Sequence, residues 1–201
     1  MKCLIVSISG MLLSAMTSRA TGDDPQKILE DAKMQMHSLS GYEADATVTF
    51  SKPINMHACI VGDNFDIAGP EIPRIRRVNN LYWISRDNGK TWKPTSPDTG
   101  LYVLFVGPFS VLPSGWRVVS SERDHSSNGP VTRIRVEASG EPPEGAPQGA
   151  NVADYWIGTM SSGERYVQRF KCVEILMGAY VWVDATFNKI NAATKIEAPD
   201  D

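Results

Sequence analysis

The chain reads as an α+β domain, one amphipathic helix followed by a long run of antiparallel strands, and three stretches carry that reading. Ile28, Leu29, Ala32, Met36 and Leu39 recur at three- and four-residue steps, the period of a helix with one apolar stripe. At Gly41 the period changes: Tyr42, Ala44, Ala46, Val48 and Phe50 alternate with Glu43, Asp45, Thr47 and Thr49, as in a strand with one dry face. The C-terminal quarter then holds three further strand runs, 153–157, 166–175 and 179–187, punctuated by Gly158, Ser161, Ser162, Gly163 and Gly178. Such spacing makes an antiparallel meander.

With 201 residues the chain is long enough for one domain with a sizeable core. At 42% hydrophobic and 21% charged residues it is ordinary globular material. The formal net charge is -3 and there is no basic run, which argues against nucleic acid as a partner.

Residues 1–20 read as a signal peptide. Lys2 gives a positive start, residues 3–16 carry no charge, and Ser18 and Ala20 place small side chains where a signal peptidase reads, so cleavage is expected after Ala20. The apolar run is shorter than the roughly 20 residues a membrane span takes, and no transmembrane segment is expected in the mature chain, 21–201. No Cys follows the run, which disfavours a lipid-anchored amino terminus. The mature chain has 18 Lys and Arg against 23 acids, a formal charge of -5. Cys59 and Cys172 are its two cysteines; a disulfide between them and two separately buried thiols both fit an exported protein, because pairing needs Cα atoms within about 7 Å.

Taken in order, Asp23 and Asp24 before Pro25 suit a helix start, a carboxylate cap followed by proline where its missing N–H costs nothing. Lys27, Glu30, Asp31, Lys33 and Gln35 fall between the apolar positions and are read as the helix's polar face; Ser40 and Gly41 end it. After the 42–50 strand come strands at 56–61 and 64–68. Residues 69–77 hold two prolines and three arginines and read as an edge or loop, with Arg74, Arg76 and Arg77 forming a solvated basic edge or a receiver for a carboxylate or phosphate. A short strand at 81–85 leads into a turn. Residues 101–112 are the most apolar part of the mature chain, and Gly107 with Pro108 predicts a short helix over 101–106 followed by an irregular flap. Strands at 116–120 and 131–137 are expected around a polar turn, 121–130; residues 139–151, rich in Pro and Gly, form a loop, and a short run at 193–198 ends the chain.

Ser85, Asp87, Gly89, Thr91 and Trp92 match the pattern S-x-D-x-G-x-T-W, the Asp-box of sialidases and many β-propellers. Physically this is a structural turn: the Asp87 carboxylate accepts backbone N–H groups, Gly89 takes a conformation closed to other residues, and Trp92 packs back on the strand. A propeller would repeat the unit, and here there is one copy.

The helix, strands, apolar segment and closing meander together resemble the periplasmic outer-membrane lipoprotein carriers of the LolA/LolB kind. The resemblance rests on 24–29 (DPQKIL) leading into 38–42 (SLSGY), on 101–105 (LYVLF), on 154–157 (DYWI) with 163–165 (GER), and on 187–190 (FNKI) with 196–199 (IEAP). It implies a strongly curved antiparallel half-barrel sheet covered by the N-terminal helix and the central apolar helix or flap, with an apolar cavity between them. A lipid or lipoprotein acyl chain is the ligand such a cup implies. The Asp-box and the 139–151 loop are additions to the carrier pattern.

Catalytic candidates are few. His37 falls in the helix, His57 in a strand two residues from Cys59, and His125 beside Asp124 in a polar loop. None lies in a nucleophile, metal or cofactor motif; His57 with Cys59 is the one pair that could activate a thiolate. The sequence therefore predicts a non-enzymatic exported binding protein. Met36, Leu39, Val48, Phe50, Ile134, Val136, Val183 and Phe187 are its candidate cavity wall, and each also fits plain core. The alternative is an envelope protein-interaction or sensor module that uses the same cup without a small ligand, with the exposed aromatics Tyr180 and Trp182 contributing to recognition.

Overall fold

The computed structural model describes residues 24–96, 100–110, 112–142, 144–176, 178–192 and 195–199. The expected signal peptide and its cleavage point lie outside the described residues. Helix α1 spans Pro25–Ser38, with the Asp24 side chain accepting from the Gln26 N–H at 3.0 Å. Strands β1 (Tyr42–Thr49), β2 (Pro53–Val61), β3 (Asn64–Gly69), β4 (Ile72–Val78), β5 (Leu81–Ser85) and β6 (Lys93–Pro94) follow. Helix α2 (Gly100–Val106) and a 3-10 turn at Gly107–Phe109 precede β7 (Trp116–Ser126), β8 (Gly129–Ala138), β9 (Val152–Thr159), β10 (Arg165–Leu176) and β11 (Ala179–Asn188).

All the strands form one antiparallel, curved and unclosed sheet in the order β6-β5-β4-β3-β2-β1-β11-β10-β9-β8-β7. The chain thus draws two meanders. The first runs from the centre to one edge; the second starts at the opposite edge and returns, so that β11 pairs with β1 from Glu43↔Asn188 to Thr49↔Trp182. Residues 95–115 must connect the two edges. A flat sheet of this width measures about 48 Å across, and curvature shortens that crossing. The described segment 100–110 of this connection lies over the concave face, where its apolar side chains pack: Tyr102 stacks on Phe65 of β3 at 4.7 Å, and Phe109 packs on Phe187 of β11 at 4.9 Å.

Strand alternation sorts the two faces. Ala44, Ala46, Val48, Met56, Ala58, Ile67, Ile134, Val136, Phe170, Val183, Ala185 and Phe187 are buried on the concave side. Helix α1 covers the β7, β9 and β10 part, and α2 with its 3-10 turn covers β3, β1 and β11. The opposite face is polar and carries cross-strand ion pairs.

Four local expectations change. Residues 69–77 form no edge or loop: β4 lies between β3 and β5, because Pro73 needs no donor at its position while Arg74, Arg76 and Arg77 find partners across the strands. The 121–130 turn is instead a continuation of β7 and β8, paired to Ser126↔Gly129, since polar side chains are no obstacle on a solvated edge ribbon. Residues 195–199 lie outside any strand, although Ile196 is buried. No disulfide joins Cys59 and Cys172: β2 and β10 are separated by β1 and β11, and the two side chains lie on opposite faces, Cys59 beside Glu43 and Asp66, Cys172 beside Val183 and Ala153.

Phe187 sits between Tyr42, 5.8 Å away, and Phe109, so it ties the central strand pair to the crossing segment. Phe187→Ala is expected to lower unfolding free energy by about 3–5 kcal/mol, measured as the urea midpoint of the circular-dichroism transition.

Candidate functional site

The concave face is where the fold could hold an apolar molecule, and it is largely filled by side chains. Met36, Leu39, Val48, Ile134, Val136, Val183 and Phe187 are buried in one core with Phe105 and Phe109, and Phe50 is half-buried against it. Of these, Met36 and Leu39 line a crevice of about 320 Å³ at the seam between the end of α1 and α2. Tyr42, Ile60, Tyr102 and Val106 supply its other apolar walls. Val183 borders a smaller void of about 40 Å³ with Val103, Leu104, Phe170 and Leu176. Small-molecule sites begin at about 300 Å³, so the seam crevice admits part of a ligand in the closed arrangement.

The cover over this face is lightly fastened. Tyr42 donates its hydroxyl hydrogen to the carbonyl oxygen of Phe105 at 3.2 Å, and a ring nitrogen of His37 lies 3.0 Å from that of Phe109. Burial pushes the Tyr42 phenol well above its ordinary value, so it stays a donor. Each such neutral bond contributes about 1 kcal/mol; the rest of the attachment is apolar contact. Val103 on α2 is 52% exposed and Ile175 at the end of β10 is 64% exposed, beside the smaller void.

A cavity of about 820 Å³ is on the other face. Its floor is polar, with Asp45, Thr47, Asn55, His57, Arg169 and Asp184, and one wall is the turn after β5. In that turn Asp87 accepts from the Ser85 hydroxyl at 2.7 Å, the Thr91 N–H at 2.8 Å and the Thr91 hydroxyl at 2.6 Å, which hold its carboxyl far below the usual carboxylate range. Gly89 has φ +91, the left-handed region that favours glycine, and the Trp92 N–H donates to its carbonyl at 3.1 Å.

Charges on this face satisfy one another. Arg74 and Arg76 both grip Asp66; Arg169 and Lys171 hold Asp184. Arg133 and Arg135 hold Asp154: burial opposes that carboxylate, and hydrogen bonds from the two guanidinium groups outweigh burial and keep its pKa below the ordinary value. His57 lies between Asp45 at 2.8 Å and Glu43 at 3.5 Å, an ion-pair setting. Among the described residues no group of three His, Cys, Asp or Glu side chains is arranged to hold a metal. Burial pushes the Cys172 thiol up, away from thiolate chemistry. No helix among the described residues is long and apolar enough to cross a membrane.

No family model matches the chain, and no curated protein matches it. Solved structures do. The fold is similar to that of LprF from Mycobacterium bovis, with a TM-score of 0.55 and 13% identity over 88% of this chain and 97% of that one. It is likewise similar to the Mycobacterium tuberculosis lipoprotein LppX, with a TM-score of 0.53 and 14% identity over 87% of this chain and 100% of that one. At such identities the likeness is one of fold: a curved antiparallel half-barrel with a helical cover.

One concave-face residue escaped the sequence reading. Lys33, placed there on the polar side of α1, is 6% exposed and points inward, its amino group 5.1 Å from the centre of the Tyr155 ring. The signal was present in the spacing, since Leu29, Lys33 and Met36 follow four- and three-residue steps along one stripe. Burial lowers its pKa from 10.5 to about 8, and the nearby Glu30 only partly opposes that. The folded state therefore binds fewer protons than the unfolded chain between pH 8 and about 10.5, so stability rises with pH across that window. Lys33→Met is expected to stabilise the fold at pH 7 by on the order of 1–3 kcal/mol, the gain shrinking above pH 8; urea titrations at pH 7 and pH 10 measure it.

Proposed function

We propose that the protein is a non-enzymatic, exported binding protein of the carrier type, which holds a lipid, an acyl chain or another apolar group between the concave face of its sheet and the cover made by α1 and α2. The observation that carries this is the seam: α1 and the segment of α2 with its 3-10 turn border a crevice of about 320 Å³, walled by Met36, Leu39, Ile60, Tyr102 and Val106 with His37, Asp63 and Ser110 at its polar side. The Tyr42 and His37 contacts to the Phe105 and Phe109 carbonyl oxygens fasten the cover beside it. Met36 and Leu39 make the first contact with an entering chain. Val48, Ile134, Val136, Val183 and Phe187, with Phe50 at the rim, form the floor once Phe105 and Phe109 swing away. The half-barrel likeness to LprF and to the lipoprotein LppX supports a cup of this shape.

Burying a methylene group is worth about 0.8 kcal/mol, so a chain of a dozen carbons has the driving force to open such a cover. Native mass spectrometry of the protein purified from its host, followed by solvent extraction, is expected to release an apolar compound that competes with dodecanol for one site. An empty protein that also fails to take up dodecanol at saturating concentration would remove the carrier reading. A second reading, recognition of an envelope protein by the outer face, is favoured by Trp182, which is 45% exposed there next to half-buried Tyr180. It predicts a loss of partner binding in Trp182→Ala with dodecanol uptake unchanged.

Export is part of the same proposal and rests on the sequence of residues 1–20. Edman sequencing of the protein recovered outside the cytoplasmic membrane is expected to begin at Thr21; a chain retaining residues 1–20 contradicts it.

A further inference from the structure

A buried lysine without a carboxylate is an expensive arrangement, because moving an ammonium group out of water is repaid only by a counter-charge or a set of hydrogen bonds. Lys33 has neither: among the described residues no carboxylate lies within ion-pair distance of its amino group, and its one recorded partner is the face of the Tyr155 ring. The side chain as a whole is 6% exposed, and its amino group lies over the Tyr155 ring between α1 and β9. The charged groups around it are Glu30 on its own helix and, across Tyr155, Glu174 on β10.

Its position relates it to the cover. Met36, three residues further along the same stripe of α1 and so about 4.5 Å along the axis, lines the seam crevice. On its other side Tyr155 packs against Phe170 at 4.8 Å, and Phe170 lines the smaller void beneath α2. Lys33 therefore stands between the seam crevice and the smaller void. On β10 a bulge between Val167 and Arg169 buries Gln168, whose side-chain oxygen has no hydrogen-bond partner among the described residues. The apolar face thus keeps an unsatisfied acceptor on a strand against which α1 packs.

We propose that Lys33 is the recognition point for an acidic headgroup, so that the preferred ligand is an anionic amphiphile, a carboxylate or phosphate on an apolar chain, whose charged end pairs with the Lys33 amino group while the chain runs along the floor under α2. This rests on the binding role proposed above and adds to it the charge of the ligand. Pairing supplies the counter-charge that the closed protein lacks, at a side chain that is 6% exposed and so screened less than a surface lysine. A neutral lipid of equal length would leave the ammonium group as it is.

The test compares dodecanoate with dodecanol on the full exported chain, wild type, Lys33→Met and Lys33→Arg, by calorimetric titration at pH 7. Wild type is expected to bind dodecanoate at least tenfold more tightly than dodecanol. Lys33→Met should erase that preference while keeping dodecanol affinity within threefold, and Lys33→Arg should retain it. In parallel, the Lys33 ammonium resonances of the wild-type protein should titrate at least one pH unit higher with dodecanoate bound than without. Equal binding of both probes by wild type and Lys33→Met, or an unmoved Lys33 titration in the dodecanoate complex, overturns the role of Lys33 and leaves the binding reading standing. Failure of both probes to bind wild type overturns the binding reading, and this one with it.

Discussion

The pairing of β1 with β11 is the constraint on which the rest of the architecture depends. Each meander is local, strand to neighbouring strand, and neither can close a core alone. The single ladder from Glu43↔Asn188 to Thr49↔Trp182 fuses them into one sheet and places the two edge strands, β6 and β7, as far apart as the sheet allows. The described segment 100–110 crosses the concave side, and its apolar side chains fit that path. The ladder also sets the depth of the floor: Ala44 faces Phe187, Ala46 faces Ala185 and Val48 faces Val183, so the centre is lined mainly by small side chains that leave room for Phe105 and Phe109 above. Because this pairing is so non-local, its loop-closure entropy is met late, after the two hairpin series have formed.

The same strand parity that dries one face loads the other with charge. Arg135, Asp154, Lys171 and Asp184 succeed one another across β8, β9, β10 and β11 in directly opposed positions, alternating in sign. Trp156 lies between Arg133 and Arg169, within 5.2 Å and 5.1 Å of their guanidinium carbons, and Trp92 lies beside Arg76 at 4.6 Å. Cross-strand pairs of this kind each contribute a few tenths of a kcal/mol up to about 1 kcal/mol. Their larger effect is on register, since a one-residue slip would turn every arginine into the core and every valine out to solvent. The cavity of about 820 Å³ lies over this self-satisfied lattice, where the arginines and carboxylates already pair with one another.

Much of the fold was legible because the sequence keeps strict periods. The helix at 25–38, the change at Gly41 and the closing meander follow from side-chain alternation alone. Strand β4 was hidden by Pro73 and three arginines; Arg74 and Arg76 share the carboxylate of Asp66 on β3, eight and ten residues away, and a local window cannot see that counter-ion. The relation of Cys59 to Cys172 was hidden for a different reason. Their separation depends on strand order, and strand order depends on the non-local β1–β11 ladder. Lys33 was hidden by residue type overriding position, since its spacing places it on the stripe that Leu29 and Met36 define.

The energetics of the cover explain why a filled concave face and a binding role are compatible. Moving α2 and its 3-10 turn aside would expose Leu104, Phe105 and Phe109, at about 1.5–3 kcal/mol each, and break the Tyr42 and His37 hydrogen bonds, worth about 1 kcal/mol each. The closed state would then be favoured over an open, empty one by roughly 6.5–11 kcal/mol, and the open state would be rare without a ligand. An apolar chain that took the place of the three side chains would return about 0.8 kcal/mol per methylene, so about 8–14 methylene groups would restore what opening costs. Shorter chains leave the equilibrium closed, and longer ones gain affinity only in proportion to the length that fits beneath the cover. A headgroup that also neutralises Lys33 lowers that threshold, which makes chain length and charge interchangeable contributions to one opening equilibrium.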